Sequence, residues 1–90
     1  MDIKYFATFR DLAGEMSYHL DDPPCDVAGL LEHLSSRYGA AFRAAVFEGD
    51  EISPFLILLV NGRNVRISGG LATPLNAHDD ISVFPMVAGG

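Results

Sequence analysis

Six successive apolar residues, Phe55-Leu56-Ile57-Leu58-Leu59-Val60, run directly into Asn61-Gly62. An apolar run of this length, bounded by a turn, is expected of a central strand covered on at least one side. Asn-Gly is the strongest short-range hairpin signal, because both residues tolerate a positive φ. The pair therefore predicts a strand over 55–60, a tight turn, and a short return strand over Asn64 to Ile67. A sheet built on that hairpin needs further strands and a cover, and both must come from a chain of 90 residues. That length supports one domain with a single modest core.

The N-terminal half supplies the candidates. Ile3, Tyr5, Ala7 and Phe9 share a face under period-2 alternation and predict a first strand over Ile3 to Phe9. Gly14 turns the chain into a second short strand, Glu15 to Leu20, so the two should form an antiparallel hairpin. The connection is longer than a two-residue turn, and Leu12 is expected to tuck over the end of the core. Asp21-Asp22-Pro23-Pro24-Cys25 then separates strand from helix. Val27, Leu30, Leu31, Leu34 and Tyr38 recur at helical spacing and predict a helix from about 27 to 38. Asp26 is placed to cap its N-terminus and Gly39 to stop it in a left-handed conformation. Gly29, costly inside a helix, suggests the close approach of another backbone. Ala40 to Phe47 can form a second short helix, with Phe42, Val46 and Phe47 as its apolar residues.

After the Asn61-Gly62 hairpin, Ser68-Gly69-Gly70 breaks the chain, Leu71 to Leu75 forms a corner, and Asn76 to Asp79 turns it again. The last strand is Asp80 to Phe84, closed by Pro85. The order β, β, α, short α, β, short β, β is that of the ubiquitin-like β-grasp. This is an α+β fold with one main helix across a mixed sheet of four or five strands, occupying residues 1–86.

Several kinds of chemistry find no support. The lone Cys25 cannot pair within the chain and carries no metal-ligand pattern. Glu48-Gly49-Asp50-Glu51 reads as a solvated surface loop rather than a metal site. His19, His33 and His78 show no evident partner in sequence. Gly69-Gly70 lacks the lysine and following helix of a phosphate loop and reads as a turn. A net charge of −6 disfavours nucleic acid and favours a basic protein partner. No apolar run approaches the ~20 residues of a membrane span. Met1-Asp2-Ile3-Lys4 lacks the pattern of a signal peptide, and a cytoplasmic protein is expected.

The remaining feature is the ending, Val87-Ala88-Gly89-Gly90, expected to be a flexible tail. Its reactive group is the Gly90 carboxylate, ionised at neutral pH and a poor electrophile until activated. Paired glycines let a backbone thread a narrow channel in a partner. The dipeptide alone is equally consistent with a frayed terminus or an expression scar.

Longer stretches carry a resemblance. Tyr5-Phe6-Ala7-Thr8-Phe9-Arg10-Asp11-Leu12-Ala13-Gly14 resembles the first strand and loop of the molybdopterin synthase small subunit. Val60-Asn61-Gly62, Leu75, Asp80, and Phe84-Pro85 through Gly89-Gly90 resemble the hairpin, last strand and tail of the same MoaD/ThiS family of ubiquitin-like sulfur carriers. That resemblance implies that an E1-like adenylating enzyme, which holds the ATP and magnesium, adenylates Gly90, and that persulfide or sulfide then displaces AMP to leave a thiocarboxylate. The carrier itself holds no cofactor stably and is no complete catalyst. The molybdopterin branch implies delivery of the sulfur to a pterin precursor in the large subunit of molybdopterin synthase, with Gly89 and Gly90 as the reacting tail. Beside that tail Phe84, Met86, Val87 and Ala88 are apolar and are expected to pack on the partner, the alternative for Phe84 being a place in the core. Val65 to Thr73 and the same ending are also similar to the sulfur carrier of a thiocarboxylate-dependent route to cysteine. A thiazole-forming carrier is usually shorter. The same tail would also serve a modifier joined through Gly90 to lysines of other proteins. Two departures stand out: His78-Asp79-Asp80 where relatives often have Asp-Gly-Asp, placing Asp79 where a left-handed backbone is expected, and Met86 in place of a second proline.

Overall fold

The computed structural model describes residues 1–86. The Asn61-Gly62 turn forms as expected, with φ of 52° and 82° at its two residues. It joins strand β5 (Leu56–Val60) to β6 (Arg63–Asn64). The return strand is shorter than the predicted Asn64 to Ile67, because a one-turn helix, α4 (Val65–Ser68), takes over. The Asn64 side chain starts that turn by accepting the Arg66 amide at 3.0 Å.

At the other end, β1 (Asp2–Tyr5) pairs antiparallel with β2 (Ser17–His19), as expected. The first strand ends four residues before Phe9. Ala7 adopts a φ of 53°, which breaks the extended chain and starts α1 (Thr8–Ala13). Phe9 still reaches the core, from a helix rather than a strand. Leu12 packs against the core as its position suggested.

The main helix, α2 (Val27–Tyr38), has the predicted limits. Asp26 caps it, its carboxylate accepting the Gly29 amide at 2.9 Å, and Val27, Leu30, Leu31 and Leu34 are fully buried. Each such side chain contributes about 1.5–3 kcal/mol by leaving water. Gly39 stops the helix with a positive φ of 101°, although its ψ of −172° lies outside the left-handed helical region. Gly29 admits no neighbouring backbone; a Cβ there would stand 2.7 Å from the Cβ of Pro24, so the glycine makes room for the proline turn. The short helix α3 (Ala40–Val46) follows. Phe47 lies outside it, in β3 (Phe47–Glu48), which with β4 (Glu51–Ile52) turns the acidic loop into a small hairpin whose half-buried Phe47 and Ile52 pack against the core.

The last strand, β7 (Asp80–Pro85), lies in the middle of the sheet, whose order is β2-β1-β7-β5-β6. It is parallel to β1 and antiparallel to β5. One face, carrying Ile3, Tyr5, Leu56, Leu58, Ile81 and Val83, is buried with α2 and α3. Asp79 does not need a left-handed backbone, since the positive φ values outside glycine are confined to Ala7 and Asn61 among the described residues. Instead its buried carboxylate accepts from the Asn76 amide at 2.8 Å and the Asn61 side chain at 2.9 Å, tying the hairpin turn to the root of β7. Glycine could not make those bonds.

His19 and His33 do have partners. His33 stacks on Tyr18 with ring centroids 6.1 Å apart. The His19 ring bridges two carboxylates, Nδ1 to Asp2 at 2.7 Å and Nε2 to Asp21 at 2.8 Å. Only the imidazolium donates from both nitrogens. The hydrogen bond to Asp2, then that to Asp21, raises the His19 pKa, and the bond from His19 lowers that of Asp2. A raised histidine stabilises the fold fully below its unfolded value of about 6.5 and loses that contribution as pH rises through the folded value. The depressed Asp2 contributes above 3.8 and loses its contribution as pH falls through its lowered value. The melting-temperature difference between wild type and His19→Gln is therefore expected to be largest between about pH 4.5 and 6 and to shrink towards about pH 8, measured in a buffer series. A difference that grows with pH would contradict this bridge.

Candidate functional site

The face of the sheet opposite the helices leads to the tail. Side chains alternate along each strand, so the inward set Tyr5, Val83 and Leu58 leaves Lys4, Ser82, Phe84, Ile57 and Leu59 outward. Phe84 faces Ile57 across the β5–β7 ladder. Its neighbour on the other side is Phe6, just beyond β1, whose amide donates to the Val83 carbonyl at 3.0 Å. The two rings stack with centroids 4.3 Å apart and planes 7° from parallel. Phe84 is thus half-buried against another ring on the open face, outside the main core.

Backbone pairing holds this region in place up to the end of the described chain. Leu56 and Pro85 are opposite each other, and the Met86 amide donates to the Phe55 carbonyl at 2.7 Å. Phe55 is 68% and Met86 45% exposed, side by side at the root of the tail. Arg10 anchors the opposite margin, its Nε donating to the Tyr5 carbonyl at 3.0 Å while its guanidinium lies 5.7 Å from the Phe6 ring centroid. An apolar surface of Phe6, Phe55, Phe84 and Met86 flanked by the cations Lys4 and Arg10 therefore surrounds the point where β7 runs on into Val87-Ala88-Gly89-Gly90. The overall charge of −6 is not spread evenly over this face: Lys4 and Arg10 lie beside the apolar surface, whereas the exposed Asp2 and Asp80 lie at the far ends of β1 and β7.

Of the residues singled out in sequence, Phe84 and Met86 fall together here, whereas Val87, Ala88, Gly89 and Gly90 lie outside the described residues. Phe55, Phe6, Lys4 and Arg10 were missed. Phe55 read as the start of a buried strand, and the signal that marks Phe6 is its position out of phase with the buried Ile3 and Tyr5. Cys25 is exposed in the proline turn, and His78 is exposed in the turn before β7. Among the described residues no group of three or more His, Cys, Asp or Glu side chains is arranged to hold a metal ion, and no helix is long and apolar enough to cross a membrane.

The profile of the ThiS family matches residues 3–90. The chain belongs to this family of ubiquitin-like sulfur carriers. It is 40% identical to small archaeal modifier protein 3 of Haloferax volcanii over 92 residues, covering all of this chain and 98% of that one. Among solved structures it superposes on a chain of the Amycolatopsis orientalis BexX/CysO complex with a TM-score of 0.83 at 27% identity, covering 99% and 98% of the two chains. A putative molybdopterin converting factor, subunit 1, from Pyrococcus furiosus gives 0.74 at 31%, covering 96% and 95%. The fold is the ubiquitin-like β-grasp, with a mixed sheet of five strands.

Proposed function

We propose that this protein carries sulfur as a thiocarboxylate on Gly90, with molybdopterin synthesis as the pathway it supplies. The observation that carries the reading is the junction of a rigid strand with a reactive sequence: β7 is paired on both sides, and Val87-Ala88-Gly89-Gly90 follows it directly. An activating enzyme of the E1-like kind binds ATP and magnesium. There a Gly90 carboxylate oxygen attacks the α-phosphorus, pyrophosphate leaves, and the acyl carbon becomes electrophilic. Sulfide then displaces AMP and leaves the thiocarboxylate. This chain contributes the carboxylate, its orientation and the docking surface, and the partner contributes the catalysis.

The molybdopterin assignment is supported by the 31% identity to a protein titled a putative molybdopterin converting factor, and by the N-terminal stretch Tyr5 to Gly14. The large subunit of molybdopterin synthase is the acceptor this assignment implies. The Amycolatopsis likeness supports an acceptor of the cysteine-route kind equally as to fold. Protein conjugation is the second reading, favoured by 40% identity over the full chain to a protein named a modifier. The two readings part at the product, a thiocarboxylate on Gly90 in one case and an isopeptide bond from Gly90 to a lysine in the other. The mass of the chain purified from its own cells separates them.

Docking through the open face has its own test. Phe84→Ser removes half of the Phe6–Phe84 stack without opening the main core, so affinity for the acceptor enzyme is expected to fall by about tenfold or more. The melting temperature is expected to fall by only about 5 °C. Titration calorimetry and thermal melts on the same samples check both. Global unfolding, or unchanged affinity, would remove Phe84 from the docking surface.

A further inference from the structure

An activated C-terminus can be taken by an amine as well as by sulfide, and this sequence offers two: the α-amine of Met1 and the side chain of Lys4, its single lysine. The fold treats them differently. Met1 is 4% exposed, and its ammonium donates to the carbonyls of Leu20 and Ala77, which come from opposite ends of the chain. To attack an acyl group it would have to give up those bonds and expose its lone pair. Lys4 is exposed on the open face of the sheet, opposite Ser17 and Ser82, and enters none of the ion pairs among the described residues. A shallow pocket lined by Tyr5, Phe6, Arg10, Met16 and Ser17 opens beside it. Met16 there is 65% exposed. Such a pocket leaves room beside Lys4 for an uncharged acyl segment of small residues, and Arg10 adds a cation for a phosphate leaving group.

We propose that Lys4 is the acyl-acceptor amine of this protein, joined to the Gly90 carbonyl of a second copy. The inference rests on the activation of Gly90 proposed above. In the step, the neutral Lys4 nitrogen attacks the acyl carbon of the Gly90 adenylate on the second copy. The N–C bond forms, the C–O bond to phosphorus breaks, AMP leaves with the bonding pair, and the nitrogen loses its proton to solvent. Lys4 lies on the same face as Phe84, so the joined copy covers the surface used for docking. Joining thus withdraws the receiving copy from sulfur delivery.

Two experiments test this. The first needs no activation: the purified chain is treated with limiting N-hydroxysuccinimide acetate near neutral pH. In an unfolded chain an α-amine, with a pKa of roughly 7.7–8.0 against about 10.4 for lysine, captures most of the reagent. The folded protein is expected to reverse that preference, with Lys4 acetylated over Met1 by about tenfold, and the reversal is expected to vanish in denaturant. Equal labelling, or labelling mainly at Met1, in the folded protein overturns the assignment of Lys4. The second uses the chain isolated from its own cells under denaturing conditions. A tryptic peptide of residues 1–10 branched at Lys4 with residues 67–90 is expected in wild type. It should be absent from Lys4→Arg, with the sulfur exchange at Gly90 read in the same sample as the measure of activation. A chain–chain adduct through Met1, a single chain closed on itself through Lys4, or sulfur-loaded wild type with no adduct overturns the joining of copies. A chain never activated at Gly90 instead overturns the proposed function, and the acetylation result still decides whether Lys4 is the available amine.

Discussion

Deletion of Gly90 is expected to reduce adenylation and sulfur loading by at least about a hundredfold, because the terminal carboxylate is withdrawn by one residue, roughly 3.5 Å. A displacement of even 1 Å in a reacting group costs about that factor, and no side chain in a glycine pair can compensate. Stability should change by less than about 0.5 kcal/mol. The buried core runs from Met1 to Val83, and the last ladder pair is Leu56 with Pro85, so the deleted residue lies beyond both. Pyrophosphate exchange in an extract of the protein's own cells and urea denaturation of the purified chain measure the two quantities separately. A deleted chain loaded with sulfur at the wild-type rate would rule out chemistry at Gly90.

Phe42→Ala should have the opposite profile. Phe42 is fully buried in α3 and meets the ring of Tyr38 at 5.0 Å, that of Phe9 at 5.7 Å and that of Tyr5 at 6.1 Å. These rings come from α2, α1 and β1, so one side chain fills the junction of four elements. Truncation leaves a cavity that the surrounding helices and sheet cannot fully close, at a cost of about 3–5 kcal/mol. A domain of this kind has only about 5–15 kcal/mol in total. Loading at Gly90 is nevertheless expected to persist at low temperature, where the variant is still folded. Denaturant unfolding checks the first expectation; a loss below about 1 kcal/mol would mean that α3 repacks and is not the keystone described here.

The elements legible in the sequence were those whose determinants are local. Asn61 and Gly62 carry their turn in their own backbone preferences, and Asp26 with the Val27, Leu30, Leu31 and Leu34 stripe sets the limits of α2 without reference to distant residues. Alternation misled where two patterns coincide. Phe9 satisfies a period of two from Ile3, yet the positive φ at Ala7 turns the chain, and Phe9 is buried from α1. The predicted strand over Asn64 to Ile67 failed for a related reason. Asn64 caps a helical turn, and the Arg66 guanidinium reaches the carbonyls of Ser53 and Leu56, partners that no local pattern reveals.

The candidate site was half legible. Phe84 and Met86 could be marked because they adjoin the Gly-Gly ending. Phe6, Phe55 and Arg10 required the register, since an apolar residue within or beside a strand reads as core until its neighbours show which face it takes. The parallel pairing of β1 with β7 sets Phe6 against Phe84 and makes one surface from segments almost eighty residues apart.

The most direct test is the intact mass of the untagged protein from its own cells, with fragmentation to place any change. A sulfur-for-oxygen exchange confined to Gly90 is the expected result. A chain with no exchange, recovered only as larger species joined through Gly90 to lysines of other proteins, would contradict sulfur carriage and establish conjugation as the function.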